Sequence, residues 1–261
     1  MKQIILAAGR GSRMKALTQT LPKCMNRLLG KPLIDWQLET IAQCPSIEPW
    51  VITGYSAEPL VTHLSSQADL NVSGIHHNPK WNQTNMVGTL LSAPKNFRQE
   101  ACIVSYGDIL YRSQWLQKLV DHEPLSETLA TCTYDQSWLK LWSLRFSNPL
   151  SDAESFQINS QGKITEIGSR SENVESIQGQ FMGLIRIEPK AWTSLEQEFN
   201  KNSSLDLTAW LRSQVKQKQT IEGIAIQGGW VEVDSEEDQL QIEKAIQTSE
   251  FEHDWRDSAS R

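Results

Sequence analysis

The sequence predicts an α/β fold with a mostly parallel central sheet flanked by helices, followed by a smaller antiparallel part. Short apolar, β-rich runs recur at Ile4–Ala8, Pro49–Thr53, Val72–His76, Ala101–Ser105 and Thr128–Tyr134. Helix-like segments separate the first several of them, which is the alternation that crossover connections impose on a parallel sheet. Beyond residue 140 the pattern changes to short strand-like runs separated by turn signals.

The first strand runs into Gly9-Arg10-Gly11-Ser12-Arg13, and Pro22-Lys23 follows. Gly9 and Gly11 let the backbone turn tightly and present N–H groups to an anion, and Arg13 and Lys23 add two cations. A dinucleotide fingerprint needs a third glycine where Met14 stands, and a P-loop needs Gly-Lys-Ser/Thr where Gly30-Lys31 continues into Pro32. What remains, Ala-Ala-Gly-x-Gly-Ser-Arg with a later Pro-Lys, resembles nucleotidyltransferases, which join a nucleoside triphosphate to a phosphorylated acceptor and release pyrophosphate. The plain alternative is a strand-to-helix turn with chance basic residues.

After Pro32, the apolar spacing of Leu33–Ala42 predicts a helix packed on the sheet, with Trp36 as a core anchor. Ligands of open parallel sheets sit beyond the carboxyl ends of the strands. That rule singles out the loop 9–13, Gly54-Tyr55, Asn78 with the segment Trp81 to Asn85-Met86, and Asp108 after Ile103–Gly107. In the second half, Leu141–Arg145, Ser155–Asn159, Lys163–Ile167 and Gly183–Ile187 read as antiparallel strands, with a turn at Asn159–Gly162. Helices are expected at Ala191–Phe199, Asp206–Lys216 and Ser235–Gln247, the last opened by a shortened capping box of Ser235 and Asp238. These elements make one domain over 1–248, with a nucleotide-binding half (1–135), an acceptor-binding and metal-completing half (136–248), and a flexible tail at 249–261.

Composition narrows the function classes. With 39% hydrophobic and 21% charged residues the chain reads as an ordinary soluble protein, and no apolar stretch reaches membrane-spanning length. The formal net charge of −6 argues against nucleic-acid binding but allows a small anionic substrate in a locally positive cleft. The N-terminus lacks a secretory apolar region, so a cytoplasmic location is expected. The four cysteines are widely separated and imply neither disulfides nor zinc.

Asp108 has a partner far along the chain, in Trp230-Val231-Glu232-Val233-Asp234. Strand alternation sets Trp230, Glu232 and Asp234 on one face. Two carboxylates at converging strand ends can hold Mg²⁺ against a triphosphate, although either alone could be a loop cap or a surface charge.

The chain resembles bacterial phosphocholine cytidylyltransferase-type enzymes within the sugar-nucleotide pyrophosphorylase-like superfamily. The resemblance rests on Leu6–Arg13, Pro22-Lys23, Gly30–Leu33, Val51–Tyr55, Trp81 with Thr84–Val87, Tyr106-Gly107-Asp108 and Trp230–Ser235, and extends to about Ala245. It implies a Rossmann-like nucleotidyltransferase fold, CTP as donor and Mg²⁺ at Asp108 and Asp234. It further implies nucleotide contacts from Leu6, Ala7, Ala8, Gly9, Arg10, Gly11 and Ser12, with Arg13 and Lys23 as the catalytic, phosphate-binding cations. Gly54, Tyr55, Asn85 and Met86 complete the expected nucleotide site. Many hexose-1-phosphate members carry Arg-Leu-x-Pro-Leu-Thr where this chain has Arg13-Met14-Lys15-Ala16-Leu17-Thr18. The segments Gln178–Gly183 and Leu205–Thr208 are instead similar to cytidylyltransferases acting on phosphorylated or phosphonylated small amines, 2-aminoethylphosphonate among them, and nominate Gln180 and Asp206 for the acceptor.

Trp138, Trp142, Asp152 and Glu154 add aromatics and carboxylates suited to an acceptor ammonium group, unless the tryptophans fill a core or a dimer interface. The expected reaction is attack of an acceptor phosphate or phosphonate oxygen on the α-phosphorus of CTP. Competing readings are a hexose-1-phosphate uridylyl- or thymidylyltransferase and an inactive nucleotide-binding scaffold. No nucleic-acid or membrane partner is expected, and a homodimer is allowed.

Overall fold

The computed structural model describes residues 1–11, 20–248 and 250–257. The expectations placed on Ser12 and Arg13 lie outside the described residues. In chain order the elements are β1 (Lys2–Ala7), a short pair β2 (Arg27–Leu28) and β3 (Lys31–Pro32), α1 (Leu33–Ala42), β4 (Glu48–Thr53), α2 (Ala57–Ser66), β5 (Gly74–His77), α3 (Met86–Leu91), β6 (Cys102–Tyr106), β7 (Ile109–Tyr111), α4 (Ser113–Asp121) and β8 (Ala130–Asp135). The second half continues with α5 (Trp138–Arg145), β9 (Glu154–Ile158), β10 (Ile164–Arg170), β11 (Gln180–Ile187), α6 (Ala191–Lys201), α7 (Leu207–Lys216), β12 (Ile221–Ile226), β13 (Trp230–Glu232) and α8 (Glu236–Ala245).

The central sheet has seven strands in the order β12-β8-β11-β6-β1-β4-β5. β1 pairs in parallel with β4 on one side and β6 on the other, so the strand order reverses at β1 and leaves a crevice beyond its carboxyl end. Ile4 and Ile5 are adjacent yet both fully buried, as expected of a strand covered on both faces. α1 forms over the predicted residues and buries Leu33, Ile34, Gln37, Leu38 and Ile41 on one stripe. The β9–β10 hairpin forms the small antiparallel part, and α7 packs on β10.

Three expectations are corrected. Leu141–Arg145 is not a strand but the end of α5, whose buried positions Trp138, Leu141, Trp142 and Arg145 follow a helical period. β11 does not belong to a separate antiparallel sheet: it inserts between β6 and β8, antiparallel to both. Its register shifts near Gly183, whose φ of +80° and Cβ position 2.7 Å from the Tyr106 ring make room for that ring.

The third correction concerns the expected flexible tail, because residues 250–257 are docked. Trp255 is 1% exposed and meets the edge of Trp36 at 5.6 Å between centroids. Arg112 Nε donates to the Asp254 carbonyl, and the Gly229 N–H donates to the Glu252 carbonyl. His253 Nε2 lies 2.8 Å from the fully buried Asp135, which also accepts from the Trp230 indole. Burial works to raise Asp135, but His253, the Gly228 N–H and Trp230 outweigh it and hold the carboxyl below its ordinary range. Removing a buried tryptophan typically costs about 3–5 kcal/mol, so Trp255→Ala should lower the urea midpoint by that much stability. A melt unchanged within error would contradict the docking.

Candidate active site

At the carboxyl ends of β1 and β6 a cleft of about 280 Å³ opens, walled by Leu6, Ala7, Ala8, Gly9, Gly11, Lys23, Trp81, Asn85, Met86, Tyr106, Asp108 and Asp234. The sequence brings these together by simple means. β1 ends at Ala7, so residues 8–11 cross the mouth of the crevice. Gly11 has a φ of +64°, and a Cβ there would stand 2.8 Å from the Lys23 Cβ, so this glycine lets the loop lie against the lysine stem. Lys23 opens a one-turn 3-10 segment after Pro22.

Asp108 follows β6 in the turn to β7, and β7 pairs antiparallel with β13, whose chain continues to Asp234. The Val233 N–H donates to the Asp108 carbonyl at 3.0 Å, locking the two carboxylate-bearing segments side by side. Lys23 Nζ donates to Asp108 Oδ2 at 2.5 Å and also to Asp234 Oδ1. All three side chains are mostly withdrawn from water, at 12%, 19% and 12% exposure for Lys23, Asp108 and Asp234. The ammonium thus neutralises two carboxylates that would otherwise repel one another.

Asp108 Oδ1 is buried and without a hydrogen-bond partner among the described residues. An orphaned carboxylate oxygen of this kind fits a cation. Among those residues no group of three or more His, Cys, Asp or Glu is arranged to hold a metal ion, so the donor set here is a carboxylate pair. That is the set Mg²⁺ takes when phosphate oxygens and waters supply its remaining ligands.

The other predicted nucleotide residues take supporting places. Asn85 caps α3, its Oδ1 accepting from the Met86 N–H at 2.9 Å. Gly54 lies behind the cleft wall, where a Cβ would meet Trp81 and Ala8 within 2.7 Å. Tyr55 packs edge-on against Trp81 and lies under the Arg10 guanidinium. Asn78 organises the loop from within, donating to Thr84 and Thr89 at 3.2 Å. Trp81, singled out with its segment, lines the cleft, as does Tyr106, to which the sequence assigns no contact although it stands inside a quoted motif.

The acceptor nominations divide. Trp138 and Trp142 are 3% and 5% exposed and form no open cage. They pack edge to face at 6.0 Å, and the Trp138 indole donates to the Ile177 carbonyl. Gln180 is also buried and engaged, its amide accepting from the Glu154 N–H and donating to the Glu154 carbonyl, so it ties β9 to β11. Asp152, Glu154 and Asp206 do gather, joined by Glu232. Partial withdrawal of its carboxyl from water, together with Asp206, Asp152 and Glu232, pushes Glu154 up to about 7, against the opposing pull of Arg212. Asp206 caps α7 by accepting from the Ala209 N–H at 2.6 Å. Tyr106 connects the two places: it lines the cleft, while Thr208, Asp206 and Glu154 surround its phenol, which burial holds well above its usual range.

Among the described residues no helix is long and apolar enough to cross a membrane. The CTP:phosphoglutamine cytidylyltransferase of Campylobacter jejuni subsp. jejuni is 33% identical to this chain, over 94% of this chain and 100% of that protein. The inositol-1-phosphate CTP transferase of T. maritima shares the fold at a TM-score of 0.73 and 21% identity, over 93% and 94% of the two chains. The CTP:phosphocholine cytidylyltransferase of Streptococcus pneumoniae does so at a TM-score of 0.66 and 20% identity, over 94% and 98%. The family model described as the MobA-like NTP transferase domain matches residues 3–186. The chain belongs to the MobA-like NTP transferase family and is a nucleotidyltransferase.

Proposed function

We propose that this nucleotidyltransferase is a cytidylyltransferase that joins CTP to a small phosphorylated or phosphonylated acceptor bearing an ammonium group and releases pyrophosphate. The observation that carries the reading is the cleft in which the glycine loop, Lys23, Asp108 and Asp234 converge. CTP as donor is supported by the Campylobacter enzyme, which this chain matches over that protein's whole length. The ammonium is supported by Asp152, Glu154 and Asp206, a carboxylate group next to the cleft with Arg212 as its opposing charge. Glutamine and choline, the acceptor moieties named for two similar proteins, both carry a cationic nitrogen at neutral pH.

An acceptor oxygen that is already anionic needs no general base. It attacks the α-phosphorus, a new P–O bond forms, and the bond to the bridging oxygen breaks as pyrophosphate leaves with the electron pair. Main-chain N–H groups of the glycine loop, which lines the cleft with Gly9 and Gly11, would serve the triphosphate. Lys23, presented between the carboxylates, neutralises charge on the acceptor and α-phosphates. Arg13 is assigned to the leaving pyrophosphate from its place in the sequence. Asp108 and Asp234 would hold Mg²⁺, which when bound would supply neutralisation of phosphate charge.

Glu154 supplies a test with a definite sign. Its carboxyl is held near 7, so the fraction ionised, and with it the attraction for an ammonium group, grows as pH rises through neutrality. The KM for an amine-bearing phosphorylated acceptor should therefore fall from pH 6 to pH 8. In Glu154→Gln that fall should be lost and the acceptor KM at pH 8 should rise about tenfold, with the KM for CTP unchanged. An equal rise in both KM values would show general damage and contradict the assignment.

A further inference from the structure

Arg145, near the end of α5, is a buried cation that the reaction scheme above does not use. Its side chain is 1% exposed and carries no contact with the cleft, yet it is fully engaged. Nε donates to Asp238 Oδ1 at 3.0 Å and Nη2 to Asp238 Oδ2 at 3.3 Å, a two-pronged grip on one carboxylate. Nη1 donates to Glu232 Oε2 at 2.6 Å. The guanidinium also lies 5.0 Å from the Phe146 ring and 5.6 Å from that of Trp142.

The two carboxylates it grips flank Asp234 in sequence. Asp238 Oδ2 accepts from the main-chain N–H of Asp234 itself at 3.0 Å and from that of Ser235 at 2.9 Å. The Ser235 hydroxyl accepts in return from the Asp238 N–H, completing the capping box that starts α8. One side chain thus holds the segment both before and after the carboxylate that faces Lys23 and Asp108. A planar fork with donors on two edges is what this arrangement requires; an ammonium could match its charge but not its directions.

The geometry points to Arg145 as a positioning residue: through Asp238 and Glu232 it fixes the path of residues 232–238 and so aims the Asp234 carboxylate at the divalent cation. The inference rests on the metal assignment made under Proposed function. Groups that orient a metal-ligating side chain typically cost about 10- to 100-fold in metal affinity or activity when replaced. The buried tryptophans of α5, nominated from sequence for the acceptor, take on a different role in this account, since they seat the helix that delivers Arg145.

The test uses the full chain with manganese(II) as probe and free Mn²⁺ followed by electron paramagnetic resonance in saturating CTP. Arg145→Lys keeps the charge and is expected to raise the Mn²⁺ dissociation constant 10- to 100-fold, with CTP affinity in EDTA within twofold of wild type. Asp238→Asn keeps an oxygen to cap α8 while breaking the fork, and the same rise is expected there. The double variant should be no worse than the weaker single one, because both changes break one connection. Mn²⁺ binding within twofold of wild type in both folded single variants, as judged by circular dichroism, overturns the inference. Wild-type protein that binds no Mn²⁺ beside CTP overturns instead the metal assignment on which it rests.

Discussion

Lys23→Ala is expected to slow pyrophosphate release on the order of 10²–10³-fold, the usual cost of removing one preorganised donor to a developing charge. The ammonium lines the cleft and donates to both Asp108 and Asp234, and its stem is packed against Gly11. No change in backbone path is needed to accommodate alanine, so the variant should keep its far-UV spectrum. It should also bind Mn²⁺ without nucleotide at least as tightly as wild type, because the ammonium and a divalent cation share the same two carboxylates. Near-wild-type turnover would remove Lys23 from the role given to it. Weakened metal binding would show that the lysine organises the carboxylates and does not compete for them.

The second large effect is expected at the carboxylates. Asp108→Asn and Asp234→Asn should each raise the Mg²⁺ concentration for half-maximal rate by about tenfold or more, within the range seen when metal-site groups are altered. Asn at 108 removes the charge but leaves its carbonyl to accept from the Val233 N–H, so the paired segments should stay in register. The two variants report on different elements, since Asp108 follows β6 while Asp234 follows β13. Unchanged metal titrations in both would exclude the pair as the cation site. A loss confined to one would leave that residue as the ligand and return the other to an ion pair with Lys23.

Much of the fold was legible where its signals are local. An apolar run followed by Gly9 and Gly11, the periodic stripe Leu33–Ala42 and the capping box at Ser235 each specify a structure within one short window. The carboxylate pair was also legible, since both aspartates end apolar runs. What escaped was non-local. α5 was misread because Leu141–Arg145 alternates over a few residues, while the helical period appears only when Trp138 is included. The docking of residues 250–257 depends on Asp135, Trp36 and Arg112, partners 100 residues or more away in sequence. Separations of 87 and 93 residues likewise hid Arg145, whose two carboxylates arrive from β13 and α8. The tryptophan cage failed for a simpler reason: large aromatics are mostly buried, and these two are.

The acceptor side remains the finer question, and the carboxylates there set its terms. Gln180, nominated as a ligand contact, spends its amide on the backbone of Glu154, so the proposed acceptor contact falls to Glu154, Asp206 and Asp152. Tyr106 stands between that group and the cleft, with Gly183 making room for its ring. In the proposed reading, a compact acceptor places its phosphate toward Lys23 and its ammonium toward Glu154.

The measurement that tests the central claim most directly is product analysis by mass spectrometry. The enzyme is incubated with Mg²⁺ and CTP, UTP, dTTP or GTP, against a panel including phosphocholine, phosphoglutamine, 2-aminoethylphosphonate and hexose 1-phosphates. The account predicts that CTP with an amine-bearing acceptor gives one adduct, cytidine monophosphate joined to the acceptor phosphate or phosphonate, with one equivalent of pyrophosphate. An adduct formed fastest from UTP or dTTP and a hexose 1-phosphate would contradict it, and release of no pyrophosphate from any pair would contradict it entirely.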